Sequence, residues 1–220
     1  QRLEPDSPYY LVGEVLEIDG FASDHKIDIT VLLDAVSATV DEAETMRLRF
    51  FETDDGPRQL LAPVDSVDIP VLDVQEDPDP RAAAEQLVTK IRFDAAEKAR
   101  HMVDRRLFTY TLIVLSPMQV WCVQLYHHLI VDGYSAAMIS RRVAARYTSE
   151  VAGRALRPNP FGAFAAVVAE DLAYRASGDA VADRAYWRAR LDPLPELSGR
   201  GAGDVGSADR THSVRAVVDA

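Results

Sequence analysis

The residues with the most chemical content are Tyr126-His127-His128-Leu129-Ile130-Val131-Asp132-Gly133-Tyr134-Ser135, which lie at the end of an apolar run and just before a helical pattern. A histidine pair invites a metal, but neighbouring side chains on a strand project to opposite faces, and no other ligand-rich segment supplies partners. The arrangement reads instead as one working imidazole and one structural imidazole. An imidazole changes charge near neutrality and suits the deprotonation or positioning of an attacking amine or hydroxyl. An aspartate four residues after the second histidine fixes a loop through an arginine pair more readily than it acts as a base. Gly133 lets backbone come close to a substrate. The alternative on residue types alone is a satisfied core His pair in an ordinary loop.

The elements that must position these residues can be read from periodicity. Tyr9 to Ile18 is aromatic and β-branched and ends at Asp19-Gly20, as a strand does before a turn. Ile29, Leu32, Leu33, Val36 and Val40 form one stripe on a helix expected over 26–45. Met46 to Glu52 alternates, and Asp54-Asp55-Gly56 turns it into a short strand near 59–61, a hairpin. Residues 62–80 read as loop with one edge strand within 67–74, and Asp79-Pro80 opens a helix to about Phe93. Leu107 to Leu115 and Met118 to His128, joined at Ser116-Pro117, are almost wholly apolar, as central strands covered on both faces are. Helices are expected after Gly133 (Ile139, Val143, Tyr147 and Val151 at intervals of four), over 161–176 and over 182–191. Residues 198–209 read as linker, and 211–219 as a strand. The elements make the chain α+β, and the family resemblance set out below implies a two-layer sandwich of a mixed or antiparallel sheet flanked by helices.

The chain has 220 residues, 48% of them apolar and 27% charged, with 11 Gly and 12 Pro, which places it among globular sequences. It opens on Gln1-Arg2-Leu3-Glu4 without Met or signal-like character, and so reads as an excised piece. No apolar stretch approaches the roughly 20 residues of a membrane span. The net charge of −11 disfavours nucleic acid and anionic lipid as partners. The charge is uneven, with 12 Lys+Arg against 25 Asp+Glu in residues 1–132 and 10 Arg against 7 acids in 133–200. Arg141, Arg142 and Arg146 could face an acidic protein or form a solvated helix face. The single cysteine, Cys122, excludes an internal disulfide and fits a buried strand position in a cytoplasmic protein.

The segment His127-His128-Leu129-Ile130-Val131-Asp132-Gly133 resembles the HHxxxDG signature of condensation domains of nonribosomal peptide synthetases, which belong with the chloramphenicol-acetyltransferase-like acyltransferases. Glu44-Thr45-Met46-Arg47-Leu48-Arg49-Phe50 resembles the family's HExLRTxF segment, Ser7-Pro8-Tyr9-Tyr10 the approach to its first strand, and Ala185-Tyr186-Trp187-Arg188-Ala189-Arg190-Leu191 its AYWxxxL helix. The detailed pattern is most similar to the enterobactin-synthase-type siderophore branch. Three departures stand out. Glu42 and Ala43 replace an Arg-His pair, Ala163 and Val167 replace an Asp and a Trp, and no later family motif appears before Ala220.

The resemblance implies that His128 is the catalytic residue. It would position or deprotonate an acceptor amine, or less commonly a hydroxyl, that attacks a carrier-bound acyl thioester. Asp132 would be structural with Arg47 as its salt-bridge partner, Gly133 would lie beside the thioester with an amide able to stabilise the oxyanion, and His127 would be a packing residue. No metal and no directly bound cofactor are implied, because both substrates ride on phosphopantetheine arms. Residues 1–197 would form an N-terminal lobe, with 198–220 leading to an absent C-terminal lobe. Upstream and downstream peptidyl or aryl carrier proteins, that second lobe and an adenylation domain would be the partners, and the 220 residues alone would be inactive. Two other readings stay open, a non-catalytic docking module for carriers or tailoring enzymes and a free-standing CoA-dependent acyltransferase.

Overall fold

The computed structural model describes residues 10–20, 26–99 and 101–192. The expected linker over 198–209 and strand over 211–219 lie outside these residues. The chain divides into two compact units, residues 1–166 and 167–220.

The first unit is built on a four-stranded mixed sheet. Its strands are β1 (Leu11–Asp19), β4 (Val71–Asp73), β5 (Phe108–Ser116) and β6 (Gln119–His127), in the order β1-β6-β5-β4. β1 and β5 pair antiparallel with β6, and the short edge strand β4 runs parallel to β5. The two most apolar strands are therefore central. Gly13 is required where β1 crosses β6, since a Cβ there would lie 2.1 Å from the Gln124 carbonyl oxygen. A separate hairpin pairs β2 (Leu48–Thr53) with β3 (Gly56–Leu61), and Gly56 takes the left-handed turn position at φ 101°.

Helices cover both faces of the sheet. α1 (Ile29–Glu42) and α3 (Gly133–Val151) pack on the face carrying Leu112, Val114, Val120, Cys122 and Tyr126. α2 (Pro80–Ala99) packs on the face carrying Ile113, Leu115, Trp121, Val123 and Leu125. The α+β class with a mixed sheet is as expected, and α2 adds a layer to the two foreseen, because strand residues of both parities are apolar and both faces must be covered. α1 starts at an Asp28 cap, whose carboxylate accepts the Val31 N–H at 3.1 Å, and ends three residues earlier than its expected limit. Ala43 turns extended, and Glu44–Arg47 form a 3-10 turn.

The basic residues of α3 are largely engaged internally. Arg142 is only 5% exposed and donates Nε and Nη2 to the two carboxylate oxygens of Glu42, each at 2.7 Å, while Nη1 donates to the Arg157 carbonyl at 2.7 Å. Arg146 reaches Glu42 as well, at 2.5 Å. One carboxylate thus ties the end of α1 to α3, and of the three arginines considered as a surface group only Arg141 stays exposed. Glu42, one of the residues departing from the family pattern, is the centre of this clamp. Cys122 is buried, and burial pushes its thiol up to about 12.

α4 (Phe164–Arg175) starts in the first unit and runs into the second, which also holds α5 (Gly178–Leu191). Ser177 caps α5, and Tyr174 donates its hydroxyl to Asp183 at 2.7 Å. Tyr186 and Trp187 of α5 stack edge to face and are exposed.

Candidate active site

The last residue of β6 and the first residue beyond it have opposite environments. The His127 N–H donates to the Leu107 carbonyl at 2.7 Å, and the His128 N–H donates to the Tyr10 carbonyl at 2.6 Å. Strand pairing on both sides therefore fixes where the pair leaves the sheet. The Ile130 N–H then returns to the His127 carbonyl at 3.1 Å and closes a turn. His127 is 4% exposed and its ring stacks on that of Tyr10, with centroids 5.9 Å apart and planes 14° apart. Its Nδ1 accepts the Leu129 N–H at 3.1 Å. Burial holds its pKa below the usual imidazole value, so the ring is neutral with its proton on Nε2. His128 is exposed on the turn. One imidazole is buried and packed, and the other lies on an exposed turn.

Ile130 and Val131 bury into the core and pull the chain back to α3. The Asp132 carboxylate caps that helix by accepting the Ser135 N–H at 2.8 Å. Bonds from the Ser135 backbone N–H and hydroxyl lower the Asp132 pKa, so the cap is ionised near neutrality. With the cap spent on Ser135, the amides of Gly133 and Tyr134 precede the first available i−4 carbonyl and carry the positive end of the helix dipole. Gly133 is in ordinary helical conformation, and a Cβ on it would meet nothing within 4 Å, so the space beside this amide is open.

The expected salt bridge between Arg47 and Asp132 is not formed among the described residues. Arg47 Nη1 donates to the Ala62 carbonyl at 2.7 Å, and the Ala62 N–H returns to the Arg47 carbonyl at 3.0 Å, which closes the base of the hairpin. Asp132 has no need of a cation because a helix N-terminus already satisfies it. The two side chains make their contacts in separate places, Arg47 at the hairpin and Asp132 at the start of α3. No cluster of three or more His, Cys, Asp or Glu among the described residues could hold a metal ion. No described helix is long and apolar enough to cross a membrane.

Behind the site runs a polar network that the sequence reading missed. Gln124 Nε2 donates to Glu14 Oε1 and to Ser140 Oγ, each at 2.6 Å, while its Oε1 accepts from the Tyr126 hydroxyl at 3.0 Å. The Tyr126 and Tyr110 hydroxyls lie 2.6 Å apart. Burial raises the pKa of both tyrosines and keeps them protonated. The network joins β1, β5 and β6 to α3. Its signal was a glutamine in the middle of the apolar run 119–127, and Glu14 stands directly opposite it in the β1–β6 register.

The family model for the condensation domain matches residues 1–212. The chain belongs to the condensation-domain family. Among relatives, this condensation-domain chain is 32% identical over 197 residues to a dimodular nonribosomal peptide synthase of Bacillus subtilis (strain 168), covering 90% of itself and 8% of that protein. It is 30% identical over 191 residues to enterobactin synthase component F of Escherichia coli (strain K12), covering 85% of itself and 14% of that protein. Its fold matches the starter condensation domain of rhizomide synthetase RzmA with a TM-score of 0.77 and 31% identity, over 89% of this chain and 45% of that one. It also matches the first condensation domain of the calcium-dependent antibiotic synthetase, solved with a substrate analogue, with a TM-score of 0.72 and 31% identity, over 93% of this chain and 48% of that one. The condensation-domain chain thus spans under half of these solved domains and a small part of the curated relatives.

Proposed function

We propose that the chain is the N-terminal lobe, residues 1–197, of a nonribosomal peptide synthetase condensation domain, with His128 as its catalytic residue. The observation that carries this reading is the division of labour at the end of β6, where a neutral, packed His127 anchors an exposed His128 next to a capped, glycine-led helix N-terminus. In the reaction, the nitrogen of a carrier-bound acceptor attacks the acyl carbon of a carrier-bound thioester and the C–S bond breaks. His128 takes the proton from the attacking amine, and that proton leaves on the departing thiol. Oxygen charge develops in between, and the Gly133 amide at the start of α3 supplies a donor of the right polarity.

The lobe binds no cofactor itself on this reading, since upstream and downstream carrier proteins present both substrates on phosphopantetheine arms. A second lobe, contributed by the C-terminal part of the domain, completes the channel, and an adenylation domain loads the acceptor carrier. A buried, unreactive Cys122 suits a cytoplasmic enzyme. The test is the complete synthetase with His128→Ala and loaded carriers, followed by mass spectrometry of the thioester-bound product. Product formation should fall by at least about a hundredfold. Unchanged formation would overturn the catalytic assignment, and turnover of soluble CoA thioesters by the 220-residue chain without carriers would overturn the carrier-dependent reading.

A further inference from the structure

The face of the sheet opposite α3 holds a cavity of about 360 Å³, within the size range of small-molecule sites. Leu11, Ala95, Phe108 and Leu125 give it apolar walls, and Lys98, Arg105 and Arg106 add three cations to its lining. Arg106 is engaged, since its Nη2 donates to Asp65 Oδ2 at 2.8 Å and to the Ser66 carbonyl at 2.5 Å. Lys98 and Arg105 are exposed and form no ion pair among the described residues. His127 also lines the cavity. Its Nδ1 is occupied by the Leu129 N–H, which leaves the ring proton on Nε2, and that atom is fully buried without a hydrogen-bond partner. An unpartnered donor on a residue that lines a partly apolar cavity, with two free cations at its wall, is the complement of an oxygen acceptor on an anionic, partly apolar molecule.

We infer that this cavity is a binding site for a small carboxylate with an apolar body and a second oxygen acceptor, the carboxylate held by Lys98 and Arg105 and the acceptor receiving the Nε2–H of His127. The site is separate from the exposed imidazole of His128 and does not depend on the condensation reading. It assigns to His127 a ligand-binding role in addition to packing against Tyr10. Discrimination follows from the donor, because a site with a buried N–H rejects an analogue that leaves it unpaired.

The test is calorimetric titration of the 220-residue chain with 3-benzoylpropionate, which has a carboxylate, a keto oxygen and a phenyl ring. Two analogues accompany it, 4-phenylbutyrate without the keto oxygen and the methyl ester without the charge. Saturable binding with a Kd below about 1 mM is expected, with each analogue about tenfold weaker. His127→Phe, which keeps an aromatic ring against Tyr10, should abolish the preference for the keto compound while retaining the preference for charge. Lys98→Glu combined with Arg105→Glu should do the reverse, and these exposed positions should not affect folding, so this variant and the analogue series stand alone if His127→Phe does not fold. The proposal is overturned by no saturable binding up to about 5 mM, by equal binding of all three compounds, or by a keto preference that survives in folded His127→Phe.

Discussion

Tyr10 touches both histidines, accepting the His128 N–H on its carbonyl at 2.6 Å while its ring lies nearly parallel to that of His127, with centroids 5.9 Å apart. The backbone contact does not depend on the side chain, so substitutions separate the two. Tyr10→Phe should leave stability and turnover near the parent values. Tyr10→Ala removes the stack and lets the locked imidazole move, with an expected loss of about 1 kcal/mol of stability and about tenfold in turnover of the complete domain. Urea unfolding and single-turnover product formation measure the two effects. A Tyr10→Ala domain with full activity would show that His127 needs no support from that ring.

Gly13 leaves no room for a side chain against the backbone of β6. An added Cβ would lie 2.1 Å from the Gln124 carbonyl and 2.8 Å from Leu125 Cα, both of them backbone atoms that no rotamer change can move. Gly13→Ala should force β1 away from β6, lose the Tyr10 anchor beyond it, and destabilise the chain by about 3 kcal/mol or more. A urea midpoint within error of the parent would contradict the register described here.

Asp132 and Arg47 act independently in this fold. Asp132→Ala should cost about 1 kcal/mol through loss of the α3 cap, with Asp132→Asn recovering most of it. A double-mutant cycle with Arg47→Met should give a coupling energy under about 0.5 kcal/mol. A coupling of several times that size would restore the direct ion pair that the family resemblance implied.

What the sequence revealed, and what it hid, follows the range of the interactions. β5, β6, the hairpin and the cap at Asp79 were legible because each rests on neighbours within a few residues. The ends of α1 and α2 were not. α1 stops at Glu42, where the 3-10 turn begins and the carboxylate is drawn to Arg142, a partner 100 residues away. α2 continues from Phe93 to Ala99 through good helix formers that lack an apolar stripe, and periodicity cannot register such residues. At the site, the His pair and the glycine-led helix were legible as a motif. The Tyr10 anchor, the Ala62 partner of Arg47 and the Glu14–Gln124–Ser140 network depend on strand register and helix packing across long separations.

Glu42 makes the α1–α3 junction sensitive to acid. Its carboxyl is held below the ordinary range chiefly by the Arg142 hydrogen bonds, with Arg146 adding to the effect. The unfolded chain therefore takes up this proton at a higher pH than the folded chain does. The stabilisation is complete above the ordinary glutamate pKa and is lost as pH falls through the folded value. At neutral pH, Glu42→Gln should cost about 3 kcal/mol by leaving Arg142 buried without its counter-ion. Urea midpoints of parent and variant should converge between about pH 5 and pH 2. A difference that stays constant over that interval would assign the stabilisation to packing.

Gly133 separates stability from activity. It adopts ordinary helical angles at the first position of α3, and a Cβ there meets nothing within 4 Å, so Gly133→Ala should raise stability by about 0.5 kcal/mol through reduced freedom of the unfolded chain. If the open space beside its amide is where the thioester lies, the same methyl group should lower turnover of the complete synthetase by about tenfold or more, and Gly133→Val by more again. Thermal unfolding of the 220-residue chain and single-turnover kinetics of the parent enzyme provide the two readings. A stabilised variant that turns over at the parent rate would show that no substrate approaches the start of α3 closely, and would remove the Gly133 amide from the proposed oxyanion contact.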